Sequence, residues 1–132
     1  MIERDGGVEF HEVLPDGCPP VTAEIVSKSV LLRFVEREVP VFDDFVSHAA
    51  LGKPVPPGVC PCRWASCSFF RVEKIGKLPS IKNKPFIAYV ELDHTAGLCN
   101  ENAKNGHMDV WLSTKFDPNR AVTNVIRRSQ NA

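Results

Sequence analysis

The apolar positions of this chain recur mostly at a period of two. In residues 29–35 (SVLLRFV), Val30, Leu32 and Phe34 share one parity, while Leu31 and Val35 share the other with Arg33. Apolar residues on both parities, with β-branched Val30 and Val35 among them, predict a strand buried on both faces at its centre. A helical stripe through Ile25, Ser29, Leu32 and Glu36 competes, and the β-branching favours the strand. Residues 63–72 (RWASCSFFRV) predict a second strand. Trp64, Ser66, Ser68 and Phe70 face one way; Ala65, Cys67, Phe69 and Arg71 face the other. The small side chains from Ala65 to Ser68 leave room on one flank for another backbone or a ligand.

Residues 85–93 (PFIAYVELD) and 107–113 (HMDVWLS) predict two more strands. Residues 8–14 alternate less regularly and predict a weak edge strand, and residues 121–126 fit either a strand or a helical turn. One segment has helical period. Phe42, Phe45, Val46, Ala49 and Ala50 form one apolar stripe, with Asp43 as N-cap, Asp44 in the first turn and Gly52 after the end. Residues 15–20 (PDGCPP) are turn chemistry. Residues 52–61, with four prolines, form a stiff loop that either delivers Cys60 and Cys62 to a site or covers the Phe42–Ala50 helix. Residues 71–84 are a connector, residues 94–106 a mobile-looking loop, and residues 127–132 a fraying tail. The expected fold is a single α+β domain over residues 1–132. Its core is a mostly antiparallel twisted sheet of five or six strands, with one or two short helices on one face.

Composition changes this picture little. A hydrophobic fraction of 43% and zero formal net charge describe an ordinary globular chain with no global field toward nucleic acid or membrane. The charges are unevenly spread, with six Lys/Arg against ten Asp/Glu in residues 1–70 and ten against six in residues 71–132. The basic run from Arg71 to Lys84 has the makings of a phosphate contact but reads first as a solvated helix and turn. Residues 1–12 are too polar for a signal peptide, and no apolar run reaches membrane-span length. Five cysteines, an odd number without an export signal, predict reduced thiols in a cytoplasmic protein rather than a disulfide framework.

Two constellations carry candidate chemistry. Cys60, Cys62, Cys67 and Cys99, with His94 and His107 nearby in sequence, are the candidate metal ligands. Their spacing departs from that of structural zinc loops, and buried free thiols are the preferred reading. The second is a polar set on strands: Arg33, Ser66, Ser68, Glu91, His107 and Asp109, which together would line one groove. Arg33 in an apolar strand requires partners if buried. No P-loop, Gly-rich dinucleotide fingerprint or nucleophile elbow occurs. Nucleic acid is not an expected partner, because basic residues and aromatics are not interleaved along the chain.

Over SVLLRFVEREVPVFDDFVSHAALGK and CRWASCSFF, with a later Gly106-His107 step, the chain resembles a set of small uncharacterised bacterial proteins. The resemblance spans residues 29–111 and implies no particular activity. The chain is also similar to ADP-ribosyltransferase-like toxins in offering Arg33, then Ser66 or Ser68, then Glu91 or Asp109 from successive strands. That likeness implies a nucleotide-cofactor-dependent transferase using a nicotinamide dinucleotide. The leading expectation is a small cytoplasmic accessory protein acting through a protein partner, a second copy of itself or a small ligand, with no cofactor. The toxin-type transferase is the first alternative and a zinc-stabilised module the second.

Overall fold

The structure, a computed structural model, describes residues 8–102 and 105–128. Residues 1–7, 103–104 and 129–132 lie outside the described residues, and with them most of the expected tail. Seven strands build one antiparallel open sheet: β1 (Glu24–Ile25), β2 (Ser29–Val35), β3 (Cys67–Arg71), β4 (Phe86–Leu92), β5 (Gly97–Asn102), β6 (His107–Leu112) and β7 (Val122–Arg127). Their order across the sheet is β1-β5-β6-β3-β2-β4-β7. β2 is the strand predicted at residues 29–35, and Leu31 to Val35 are all buried.

The period-two pattern sorts the core by face. Leu31, Val35, Cys67, Phe69, Ala88, Val90, Cys99 and Val110 pack on one side, closed over by Phe45 and Phe116. Leu32, Phe34 and Ile87 form a smaller cluster with Leu78 on the other side, joined by the half-buried Phe70, Ile75 and Tyr89. Ser68 pairs with Asp109 and Phe70 with His107, so these four side chains share that second face. β2 and β4 pair along seven residues, from Ser29 opposite Leu92 to Val35 opposite Phe86. β2 and β3 pair only at Leu31–Arg71 and Leu32–Phe70 and part beyond that point.

Several expectations are corrected. The protein is mostly β. Among the described residues its only α-helix is one turn, α1 (Pro61–Trp64), with short 3-10 turns elsewhere. The sheet has seven strands rather than five or six. β5 lies within residues 94–106, whose Gly, Asn and Thr predict a loop; it is held in place by hairpin pairing to β6 over six residues. Gly97 opens β5 at φ 124°, where a Cβ would stand 2.1 Å from the Trp111 carbonyl oxygen, so only glycine allows this approach. The expected edge strand at residues 8–14 contributes a single bridge, Phe10 to Ser113.

The helix expected from Phe42 to Ala50 is only a 3-10 turn over Phe42–Phe45, with Val41 rather than Asp43 at its N-cap. Side-chain bonds to backbone replace the helical ladder. The buried Asp44 carboxylate accepts from the Glu36 and Val41 amides and from Arg37. Ser47 is engaged by Glu12, whose carboxylate takes both its amide and its hydroxyl, and the same hydroxyl accepts from the Ala50 amide. The strand expected from Arg63 begins instead at Cys67, because Pro61, favoured at the first helical position, starts the turn of α1.

The cysteine expectation is also overturned in part. Cys18 and Cys62 form a disulfide with a Cα–Cα distance of 5.4 Å, while Cys60, Cys67 and Cys99 are free. The bond ties the 15–20 turn to α1 across 44 residues of sequence. Closing so long a loop restricts the unfolded chain, an effect of about 2–4 kcal/mol. The C18S/C62S variant is expected to lose stability of that order in urea denaturation. Unchanged stability in the variant, or an intact mass showing five free thiols, would contradict the cross-link.

Candidate functional site

The polar side chains gather where β2 and β3 part. Arg33 is 7% exposed and, among the described residues, has no carboxylate bonded to it. Its Nε donates to the Asp44 carbonyl at 2.8 Å, Nη1 to the Ser68 carbonyl at 2.9 Å and Nη2 to the Val46 carbonyl at 3.2 Å. The guanidinium carbon lies 5.8 Å and 5.9 Å from the ring centroids of Phe45 and Phe69. Three carbonyl dipoles and two aromatic faces thus stabilise a buried cation. The Ser68 carbonyl faces the gap left by the missing β2–β3 ladder, so the side chain replaces backbone pairing there.

Above this point lies a cleft of about 450 Å³. Arg33, Phe34 and Phe70 line it from the sheet, with Ser66, Ser68 and His107. Val46, His48, Leu51 and Lys53 line it from the loop after β2, and Lys82 and Lys84 from the turn before β4. An adjoining hollow of about 350 Å³ shares Arg33, Phe34, Glu36, Val46, Leu51 and Lys84 with it. Among the described residues, four cationic side chains, Arg33, Lys53, Lys82 and Lys84, line the larger cleft against one carboxylate, Glu36. Crowding is evident in their protonation. Burial, then Arg33 and Lys53, push the half-buried Lys84 ammonium below its ordinary pKa. Burial, then Lys53, Lys84 and Arg33, do the same to His48. The His48 ring stacks on Trp64 at 4.4 Å, and its buried Nδ1 has no hydrogen-bond partner among the described residues.

At the β3–β6 end of the cleft, Asp109 organises a polar cluster. Arg63 Nε donates to its Oδ2 at 3.0 Å, and His107 Nδ1 is 3.5 Å from its Oδ1. Ser66 Oγ stands 3.2 Å from the same Oδ1 and 2.7 Å from the Arg63 carbonyl, so its one proton is shared between them. The His107 ring is held edge-on to Phe70 at 5.1 Å. Burial lowers the His107 pKa, Asp109 opposes that shift and Arg63 adds to it.

The sheet therefore brings Arg33, Ser66, Ser68 and His107 to one cleft, with Asp109 directly behind. Glu91 is apart from them. It is exposed on β4 opposite Val30, three residues and about 10 Å along the strand from Ala88, the partner of Arg33. Of the candidate metal ligands, Cys62 is consumed by the disulfide, Cys60 is exposed, and Cys67 and Cys99 are buried. Burial pushes the Cys67 thiol up to about 11 and raises Cys99 as well, so neither ionises readily. No group of three His, Cys, Asp or Glu side chains is placed to hold a metal ion among the described residues. Sequence reasoning missed His48 and Lys53. Lys82 and Lys84 were visible within the basic run, but nothing local showed that they turn toward Arg33.

Both cleft histidines are lowered from the ordinary value of 6.5, so as pH falls the unfolded chain takes up protons that the folded chain resists. Stability from this source is intact above pH 6.5 and is lost on acidification below it. Proton NMR titration should find both rings with midpoints below 6.5, and H48Q should flatten the acid limb of the stability profile. Midpoints at or above the ordinary value would contradict the buried, cation-crowded setting. No protein-family model, curated protein or solved structure matches this chain, so its function is argued from the geometry alone.

Proposed function

We propose that the chain is a small-ligand-binding protein whose cleft takes a phosphate-bearing molecule of nucleotide size. The observation that carries this reading is the convergence of Arg33, Lys53, Lys82 and Lys84 on one cleft with a single carboxylate. Like charges brought together at partial burial cost free energy, as the depressed Lys84 indicates, and a polyanion relieves that cost. The half-buried Phe70 adds apolar surface for a planar group, and about 450 Å³ accommodates a mononucleotide-sized ligand. The accessory-protein expectation is thereby given a ligand class. No helix among the described residues is long and apolar enough to cross a membrane. The Cys18–Cys62 disulfide favours an oxidising compartment over the cytoplasm.

The dinucleotide-dependent transferase is a weaker reading of the same cleft. Arg33 and Ser68 lie in it, but Arg33 has three of its five N–H groups committed to backbone carbonyls. Asp109 is held by Arg63 and Ser66 rather than presented for a ribose. The zinc-module reading loses Cys62 to the disulfide.

Calorimetric titration with ADP tests the binding reading. Binding is expected to weaken as salt rises, and K84M to cost about tenfold in affinity, or about 1.4 kcal/mol. Absence of heat and of thermal shift at millimolar ADP, pyrophosphate and inorganic phosphate would overturn it.

A further inference from the structure

The cationic cleft contains more than binding requires, because a histidine backed by a carboxylate stands at its end. We infer that the cleft cleaves single-stranded RNA, with His107 as general base and Asp109 as the residue that positions it. This deepens the phosphate-binding reading and rests on it.

His107 lines the cleft, and its Nδ1 is 3.5 Å from Asp109 Oδ1, the side on which a carboxylate favours an N–H. A proton on Nδ1 leaves Nε2 as the basic nitrogen. Asp109 is itself fixed by Arg63 at 3.0 Å, and the Phe70 ring restrains the imidazole from the other direction. A contact of 3.5 Å is longer than a hydrogen bond, and such pairs commonly tighten once substrate is bound. The lowered His107 keeps the ring neutral, and so able to accept a proton, near neutral pH.

Substrate class follows from what the site contains. A base and several cations are present, but Ser66, the hydroxyl nearest the dyad, is already shared between Asp109 and the Arg63 carbonyl. A substrate carrying its own nucleophile beside a phosphodiester needs only those two provisions. RNA meets this condition through its 2′-hydroxyl. His107 Nε2 takes the 2′-hydroxyl proton, the 2′-oxygen bonds to phosphorus and the bond from phosphorus to the 5′-oxygen breaks. The departing oxygen takes a proton from water, and the imidazolium returns its proton to solvent. The products are a 2′,3′-cyclic phosphate and a 5′-hydroxyl, with no oxidant or further reactant consumed. Lys84, with Lys53 and Lys82 in the same lining, offsets the charge that builds on the phosphoryl oxygens. The half-buried Phe70 supplies aromatic surface for a base. The chain shows no interleaving of aromatics and cations locally; folding sets Phe70 of β3 beside lysines from the turn before β4.

The test uses the intact, oxidised protein with an end-labelled single-stranded RNA and its 2′-O-methyl counterpart, which binds but has no free nucleophile. The expected result is that both are bound and only the RNA is cut, leaving cyclic phosphate ends. H107Q should still bind the 2′-O-methyl strand, within a few-fold of wild type, and cut RNA at least about 100-fold more slowly. D109N should slow cleavage and move the pH limb assigned to His107, a change that a merely structural role would not produce. Urea denaturation of each variant confirms folding, and H107N serves if H107Q is unstable. Binding without cleavage, or cleavage undiminished in both His107 variants, overturns the inference and leaves phosphate binding standing. Binding of ADP without binding of either strand does the same. Failure to bind any of the three removes the cleft reading as well.

Discussion

The structure depends on one buried cation. Arg33 stands where the β2–β3 ladder ends after two residue pairs, and its guanidinium supplies donors to the carbonyls of Ser68, Asp44 and Val46. An arginine is suited to this position because its planar fork addresses several acceptors at once and retains its charge under burial. Without it, the Ser68 carbonyl would face the strand gap unpaired, and the loop after β2 would lose two of its bonds to the sheet. Leaving one buried polar group unsatisfied costs on the order of 1–3 kcal/mol, and here three depend on one side chain. The parted strands and the anchored loop together create the cleft.

The cleft's electrostatics follow from that arrangement. Arg33 is compensated by dipoles rather than by an anion, so its charge remains felt by its neighbours. Lys84 and His48 register it as lowered pKa values. The two nearby buried carboxylates are engaged elsewhere: Asp44 by Arg37 and two amides, Asp109 by Arg63 and Ser66. A positive surface is therefore maintained by giving each acid another task. The same economy sets His107 beside Asp109, where the acid orients the ring while Arg63 limits how far it raises the ring's basicity.

What was legible in the sequence is what period two encodes. β2 was readable because its apolar residues occupy both parities, and the facing of Ser66, Ser68 and Phe70 away from Cys67 and Phe69 follows from simple alternation. The segment from Phe42 to Ala50 is not helical because burial does not follow its stripe: Ala49 and Ala50 are exposed while two of its polar residues are buried. Asp44 and Ser47 turn inward and bind backbone, which no local periodicity reveals. β5 was missed because its stability is borrowed from β6. The disulfide was missed because Cys18 and Cys62 are 44 residues apart and only the fold brings them together. Of the cleft, Arg33, Ser66, Ser68 and His107 were legible as polar residues on predicted strands, while His48 and Lys53 come from a loop whose path depends on Arg33.

The Arg33 Nε–H signal in a nitrogen–proton correlation spectrum tests this account most directly, since that proton is assigned to the Asp44 carbonyl at 2.8 Å in a buried setting. The account requires a sharp, dispersed resonance that survives at mildly alkaline pH and exchanges slowly with solvent, while the exposed arginine signals have vanished. A signal that exchanges as fast as theirs would mean that the guanidinium is free in water, and the clamp between β2, β3 and the loop would not exist.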